Sequence, residues 1–228
     1  CLETMHICKY GEEKNWSDRE VSIGGGTQNG GMPREAIEFA RTKGLIPEEM
    51  LPFSDSIRSW WQYHSPDPLP KKYLDEGLKW LEDYSVGYEY VKTNYDWVQK
   101  FKQLFGFNNQ EILKQALKRS PLGVSVYAWK FRNGIAYKNT WDRDNHWIML
   151  YGYEDGKYWK LYDHYDNTFI RAEWLYPFGF IIRYSLTKLN DMNKTVKKKG
   201  EEEIYTVAKD GIRIIQIKAW ESYQDYLS

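Results

Sequence analysis

The chain has 228 residues, enough for one sizeable domain or for one domain with an appendage. Lysine plus arginine and aspartate plus glutamate both number 32, so the net charge is zero and nothing attracts nucleic acid or anionic lipid. No apolar run approaches the roughly 18 residues that a membrane helix needs. We therefore predict no nucleic-acid partner and no membrane partner.

Helical periodicity dominates the first half of the chain. It predicts helices over Cys1–Tyr10, from Ser17, from Met32 to Gly44, and over Lys71–Tyr84, Tyr95–Phe105 and Asn108–Leu117. Ser17 is the predicted N-cap of the second helix, with Glu20 reaching back to it in a capping box. A loop is predicted over Pro52–Pro70 and a short strand over Val86–Val91.

The two cysteines, Cys1 and Cys8, fall on the first predicted helix. Seven residues of helical rise separate them by about 10 Å, which is beyond the reach of a disulfide. We therefore expect a fold without disulfides, which favours a cytoplasmic location or a microbial or viral source.

A glycine-rich loop, Gly24–Gly31, leads into the helix that begins at Met32-Pro33. It lacks the Lys-Ser/Thr end of a phosphate-binding loop, and no strand precedes it. Proline at the first turn fixes the helix start and leaves a ledge of exposed backbone amides. The ledge suits close packing or pairing with an extended peptide. No metal and no cofactor is predicted.

A β-hairpin is predicted from Asn145–Tyr153 and Tyr158–Asp163, with its turn at Glu154–Lys157. His146 opens the first strand and Asp163 closes the second, so the register brings them to one end of the sheet. A carboxylate that orients an imidazole is part of a nucleophile-activating triad. The alternative is an ordinary polar histidine at a strand start.

The last part of the chain, residues 187–228, is predicted to be a linker followed by an appendage. Residues 187–203 are predicted to be a polar linker, in which a lysine run and a glutamate run cancel. Residues 204–228 are predicted to form a small β-hairpin appendage, through which the protein could join a larger assembly.

Several motifs, in this order, resemble those of the papain-like cysteine peptidases, and the resemblance covers Cys1–Leu186. They are Glu3 with Ser17–Glu20, Asn29–Pro33 (the Asn-Gly-Gly loop), Glu48–Phe53, Pro121–Val126 with Gly134–Tyr137, and Asn145–Tyr153 with Tyr158–Tyr165. The resemblance implies an α+β, two-lobed fold, with a helical lobe over about 1–118 and a β lobe over about 119–186. It also implies hydrolysis of peptide bonds in a peptide or protein substrate.

The resemblance implies site residues position by position. His146 would be the general base and acid. Asp163 would orient it in place of the family's usual asparagine, and its charge would favour the protonated imidazole and change the pH profile. Substrate would be bound by the following residues: Gly30 and Gly31 at the main chain; Met32, Pro33, Tyr127 and Trp147 at the side chain two residues before the cut; and Tyr165, in place of a tryptophan that shields the histidine contact.

The family's nucleophilic cysteine lies about ten residues before the acidic position matched by Glu3, which places it upstream of Cys1. Cys1 is an alternative, since it precedes His146 by 145 residues, within the family's range of about 130–150. Cys8 is a further alternative. Two other functions stay open: an inactive papain-like domain that binds peptide or serves assembly, and a cell-wall amidase or transglutaminase-like acyltransferase.

Overall fold

A computed structural model of the chain describes residues 1–54, 56–91, 109–139, 141–163, 168–189, 207–209 and 212–214. The chain divides into two compact units, Cys1–Thr187 and Lys188–Ser228. The first unit mixes helices with a large sheet and is α+β, as the sequence predicts. The division of residues 1–186 into two lobes stays a prediction.

The helices of the first unit are α1 (Leu2–Tyr10), α2 (Asp18–Gly24), α3 (Pro33–Lys43), α4 (Trp60–Tyr63), α5 (Lys71–Asp83) and α6 (Asn109–Leu117), with 3-10 turns at Thr27–Asn29 and Glu48–Met50. All but α4 and the 3-10 turns match predicted helices. The helix predicted over Tyr95–Phe105 lies outside the described residues. The loop predicted over Pro52–Pro70 contains α4 because Ser59 caps it, accepting a hydrogen bond from Gln62 N–H.

The strands of the first unit are β1 (Tyr84–Tyr90), β2 (Leu122–Val126), β3 (Phe131–Arg132), β4 (Ile135–Ala136), β5 (His146–Glu154), β6 (Tyr158–Asp163), β7 (Thr168–Glu173) and β8 (Ile181–Lys188). They form one sheet in the order β1-β8-β2-β5-β6-β7-β4-β3. The predicted hairpin is confirmed: Glu154 pairs with Tyr158, and Gly156 supplies the positive φ of the turn.

Two apolar clusters hold the sheet. One packs the central strands against α6 and includes Leu122, Leu150 and Trp159, all fully buried. The other packs α1 and α3 against β1 and β8, through residues such as Ile37 and Tyr84. Because α3 is held on the sheet in this way, the glycine loop that leads into it has a fixed position.

The N-terminus of α2 differs from the predicted capping box. Ser17 Oγ accepts a hydrogen bond from Glu20 N–H at 3.1 Å, as predicted. The Glu20 carboxylate does not reach back to Ser17, because Ser17 N–H already donates to Ile46 O at 3.0 Å. Instead Glu20 Oε2 accepts a hydrogen bond from Ile46 N–H at 2.9 Å. The pair of contacts ties α2 to the segment before the 3-10 turn at Glu48–Met50.

Glu20 is fully buried, and its Oε1 has no hydrogen-bond partner among the described residues. Burial raises the pKa of Glu20 from 4.5 to about 7, against the opposing effect of the Ile46 N–H bond. The folded protein therefore holds a proton on Glu20 at pH values where the unfolded chain has lost it. This stabilisation is complete below about pH 4.5 and is lost as the pH rises towards 7.

We expect the free energy of unfolding of the native protein to fall, relative to that of Glu20→Gln, by up to about 3 kcal/mol between pH 4.5 and 7.5. Urea denaturation at several pH values measures it. Glu38→Gln is the control, because Arg41 lowers the pKa of half-buried Glu38 from 4.5, so the contribution of Glu38 to stability is lost only at lower pH and stays nearly constant over this range. Parallel curves for the native protein and Glu20→Gln would show that Glu20 is ionised throughout.

The second unit is described only in part. Its described residues form an antiparallel pair of β9 (Val207–Lys209) and β10 (Ile212–Ile214), in which Lys209 pairs with Ile212. That residues 204–228 form a β-hairpin appendage stays a prediction. The linker predicted over 187–203 falls mostly outside the described residues, and both it and the role of the appendage stay predictions.

Candidate active site

The hairpin of β5 and β6 brings a histidine and a carboxylate into contact. His146 Nε2 lies 2.9 Å from both Oδ1 and Oδ2 of Asp163. The Asp163 side chain is almost fully enclosed, at 3% exposure, whereas His146 is half-buried. A carboxylate removed from water in this way is stabilised by the N–H groups that point at it.

Backbone contacts with β2 fix the start of β5. His146 pairs with Val126 in the antiparallel ladder, and Asn145 N–H donates to Val126 O at 3.0 Å. The Asn145 side chain accepts a hydrogen bond from Ala128 N–H at 2.9 Å. The imidazole therefore projects from a strand end that is held by β2, and the pairing of β5 with β6 begins further along, at Met149.

Trp129 also contacts the carboxylate, and the sequence pattern gave no sign of it. Its indole Nε1–H donates to Asp163 Oδ2 at 3.0 Å. Its ring stands edge-on to the His146 ring, with centroids 6.2 Å apart and planes at 89°. Trp129 comes just after β2, so three separate segments of the chain meet at Asp163.

A cleft of about 1640 Å³ opens in front of His146. Seven of the predicted site residues line it: Gly30, Gly31, Met32, Pro33, His146, Trp147 and Asp163. The glycine loop and the end of the hairpin are far apart in sequence, and the fold brings them to one cavity. An extended chain lying in this cavity could contact the exposed backbone of the loop and the imidazole together.

The glycine loop is held by the segment around α4 rather than by a disulfide. His64 is buried, and its Nε2 lies 3.0 Å from Ser22 Oγ and 3.1 Å from Thr27 Oγ1. Trp60 Nε1–H donates to Gln28 O at 2.6 Å, and the Trp60 ring stacks on Tyr63. Trp60 also lines the cleft and is half exposed. It is a second residue of the cavity that the sequence did not predict, because it lies in a stretch interpreted as loop.

Trp147 borders two cavities. It lines the main cleft and also a smaller cavity of about 410 Å³ between α1, α3 and the sheet. Its indole lies over Gly123, where an added Cβ would come within 2.5 Å of Trp147 Cζ2. Glycine at 123 is thus required for the close approach of the large ring. Whether Trp147 narrows a substrate pocket stays a prediction.

The two remaining predicted substrate residues are Tyr127 and Tyr165. Tyr127 is not among the described residues that line the cleft. Its backbone N–H and C=O both contact the Tyr176 hydroxyl, at 3.1 and 3.2 Å, and the Lys130 ammonium lies over its ring. Tyr165 lies outside the described residues. The substrate role of both stays a prediction.

Neither cysteine lies in the main cleft. Cys1 lines the smaller cavity, Cys8 is exposed on α1, and both thiols are free, as expected for a fold without disulfides. No cysteine is therefore found among the residues that line the described cleft.

Charged residues form the rim of the cleft next to His146. Asp142 pairs with Lys130 at 2.6 Å, and Asp144 pairs with Lys138 and accepts a hydrogen bond from Ser125 Oγ. Arg143 stands between these two aspartates in the sequence, and its exposed side chain lines the cleft. The ion pairs fix the segment that leads into β5.

Within the described ranges, no three histidine, cysteine, aspartate or glutamate side chains cluster in a way that could hold a metal ion. In the same part of the chain, no helix is both long and apolar enough to cross a membrane.

No family model matches this chain, and none of the curated proteins matches it. Among solved structures, the chain is similar to digestive procathepsin L 3 of Tenebrio molitor larval midgut, with a TM-score of 0.51 and 16% sequence identity. The similarity covers 75% of this chain and 54% of the procathepsin chain, so the chain spans about half the length of that protein. At this identity the likeness concerns the fold alone, and the fold of this chain is papain-like.

Proposed function

We propose that this protein is a papain-like cysteine peptidase that hydrolyses peptide bonds with His146 as general base and acid. The observation that carries the proposal is the contact between His146 Nε2 and the buried Asp163 carboxylate, inside a cleft that the glycine loop also borders. The papain-like fold supports it.

The orientation of the imidazole suits this role. Because the carboxylate accepts the Nε2 proton, the neutral ring carries its lone pair on Nδ1, which is then the atom that exchanges a proton with a nucleophile. Asp163 also stabilises the imidazolium that forms when His146 takes the thiol proton. The pair would thus act as a thiolate–imidazolium couple.

The proposed reaction has two halves. The thiolate attacks the peptide carbonyl carbon, and the tetrahedral intermediate collapses as His146 Nδ1–H protonates the leaving amine. A thioester acyl-enzyme remains. His146 then takes a proton from water, the resulting hydroxide attacks the thioester, and the acid product and thiol are released.

The proposed substrate contacts follow the resemblance. Gly30 and Gly31 would pair with the substrate main chain, and Met32, Pro33, Tyr127 and Trp147 would contact the side chain two residues before the cut. Tyr165 would shield the histidine contact. We add Trp60 to these proposed substrate contacts because it lines the same cleft. The substrate would be a peptide or protein.

The proposed nucleophile is a cysteine about seven residues upstream of Cys1, where the match at Glu3 places it. The position of Cys1 in the smaller cavity and the exposure of Cys8 on α1 favour this choice over either of them. A cysteine on an upstream extension of α1 would lie at a helix N-terminus, which favours the thiolate.

Thiol labelling of the complete protein tests the proposal. We expect an epoxide or iodoacetamide probe to label one cysteine between pH 5 and 8, faster than it labels Cys1 or Cys8, with the labelled residue identified by mass spectrometry. Cys8→Ser is the matched control, since Cys8 is exposed and outside the cleft; it should leave the labelling unchanged. No enhanced labelling at any pH in this range would count against a peptidase.

A second candidate function is a papain-like domain that binds peptides without cleaving them. The observation that favours it is Trp147, a large ring at a position where the family usually has a small residue. Binding of a peptide by the complete protein, without enhanced thiol labelling and without hydrolysis, would select this function.

A further inference from the structure

Position 163 carries an acid that is buried, and burying an ionised carboxylate has a free-energy cost. The resemblance places an asparagine there, whereas this chain has an aspartate that is 3% exposed. An ionised carboxylate is an acceptor at both oxygens, and burial is costly unless N–H groups replace the lost water. Trp129 provides such a group, since its Nε1–H donates to Oδ2 at 3.0 Å.

The geometry distinguishes an acid from an amide. His146 Nε2 is equally close, at 2.9 Å, to both oxygens of Asp163, and Oδ2 also receives the Trp129 N–H. An asparagine would have to direct its NH₂ group at one of these positions. That NH₂ group would then point at the N–H of His146, or at the N–H groups of both His146 and Trp129. In either case hydrogen-bond donors would face each other without an acceptor between them.

We propose that Trp129 is a positioning residue that fixes the Asp163 carboxylate against His146 and makes an acid, not an amide, the residue suited to this site. The inference rests on the proposed function. Trp129 is itself held in place, because its half-buried ring packs against the core of the sheet and stands edge-on to His146.

Among the described residues that line the cleft, the other charges near the imidazole are largely compensated. From the segment before β5, Asp142 faces Lys130 and Asp144 faces Lys138, which leaves the exposed guanidinium of Arg143. None of these groups is altered by a substitution at Trp129. A change in the titration of His146 on replacing Trp129 can therefore be assigned to the carboxylate.

Trp129→Phe keeps a ring and removes the N–H donor. The carboxylate loses more stabilisation when the imidazole is neutral than when an imidazolium compensates it, so the pair should hold its proton more tightly. We expect the midpoint of the His146 ring titration, followed by NMR in the complete protein, to rise by about half to one pH unit. We also expect kcat to fall about tenfold with little change in KM.

Trp159→Phe is the matched control. Trp159 is also buried in the sheet and also donates its indole N–H, but to Trp174 O at 2.9 Å rather than to the site. It should lose stability without moving the titration of His146. If Trp129→Phe also leaves that midpoint in place, Trp129 only packs, and the inference is overturned.

Asp163→Asn provides a second test that does not require Trp129→Phe to fold. With Trp129 in place, we expect this change to lower kcat by about tenfold or more, although asparagine is the family's usual residue. In the Trp129→Phe background the loss should be smaller, which a double-mutant cycle measures. An Asp163→Asn protein with undiminished kcat would overturn the inference. A complete protein without enhanced thiol labelling would instead contradict the proposed function, and the NMR titration would still decide the role of Trp129.

Discussion

Replacing His146 with alanine is expected to lower kcat/KM for a peptide substrate by about 10³- to 10⁴-fold. The variant keeps the cleft and its glycine loop but has no group to take the thiol proton or to protonate the leaving amine. Because the thiolate also loses its imidazolium partner, enhanced thiol labelling should disappear as well. Steady-state hydrolysis and labelling rates of the complete protein measure the two effects.

His6 offers a control with the same side chain in a different role. It is fully buried, with Nε2 2.9 Å from the Tyr84 hydroxyl and Nδ1 2.8 Å from Glu12 O. His6→Gln should lower the free energy of unfolding, since a buried hydrogen-bond network is disturbed. The kcat/KM of its folded molecules should stay within about twofold of the native value. Equal losses of activity in both variants would mean that His146 matters for folding and not for the reaction.

The hairpin shows what the sequence can predict. Alternating apolar residues, a turn with Gly156, and polar residues at its open end predict the two strands and the pairing next to the turn, from Glu154 with Tyr158 to Gly152 with Lys160. The contact of His146 with Asp163 also depends on a register shift between Leu150 and Gly152, which pairs Met149 with Tyr162 rather than with Asp163. The sequence did not predict this shift. The catalytic role of His146 and Asp163 does not follow from the strand pairing and stays a proposal.

Contacts between distant segments could not be predicted in this way. Trp129 donates to a carboxylate 34 residues further along the chain, and Trp60 reaches the glycine loop from 32 residues away. The Glu20 carboxylate accepts a hydrogen bond from Ile46 N–H and not from Ser17 N–H, because Ser17 N–H already donates to Ile46 O. In each case the side chain bonds to a polar group whose position depends on the whole fold, and local periodicity contains no information about that position.

Arg19 organises the segment that carries Trp60, and its loss should strongly destabilise the protein. Arg19 is 8% exposed, and its guanidinium donates to four backbone carbonyls. Nε donates to Tyr63 O at 3.0 Å, Nη1 to Pro52 O at 2.7 Å, and Nη2 to Gln62 O at 3.1 Å and to Ser65 O. One side chain on α2 thus satisfies the carbonyl groups of a loop that has little regular structure of its own.

Arg19→Met should lower the free energy of unfolding by about 3–5 kcal/mol, because it leaves several carbonyl groups without their donors and poorly exposed to water. Arg19→Lys should recover only part of this, since an ammonium cannot reproduce the planar fork that reaches four acceptors. Urea denaturation measures both. Arg41→Met is the control: Arg41 pairs with Glu38 at the surface of α3, and its loss should cost less than about 1 kcal/mol.

Arg19→Lys should also weaken peptide binding by the molecules that remain folded. Trp60 and His64, which hold the glycine loop at Gln28 and Thr27, both lie in the segment that Arg19 secures. A loosened segment would let the ledge of Gly30 and Gly31 move, so the KM of folded Arg19→Lys should rise while kcat changes little, because His146 and Asp163 are held by the sheet. An Arg19→Lys protein with native stability and native KM would show that charge alone holds this segment.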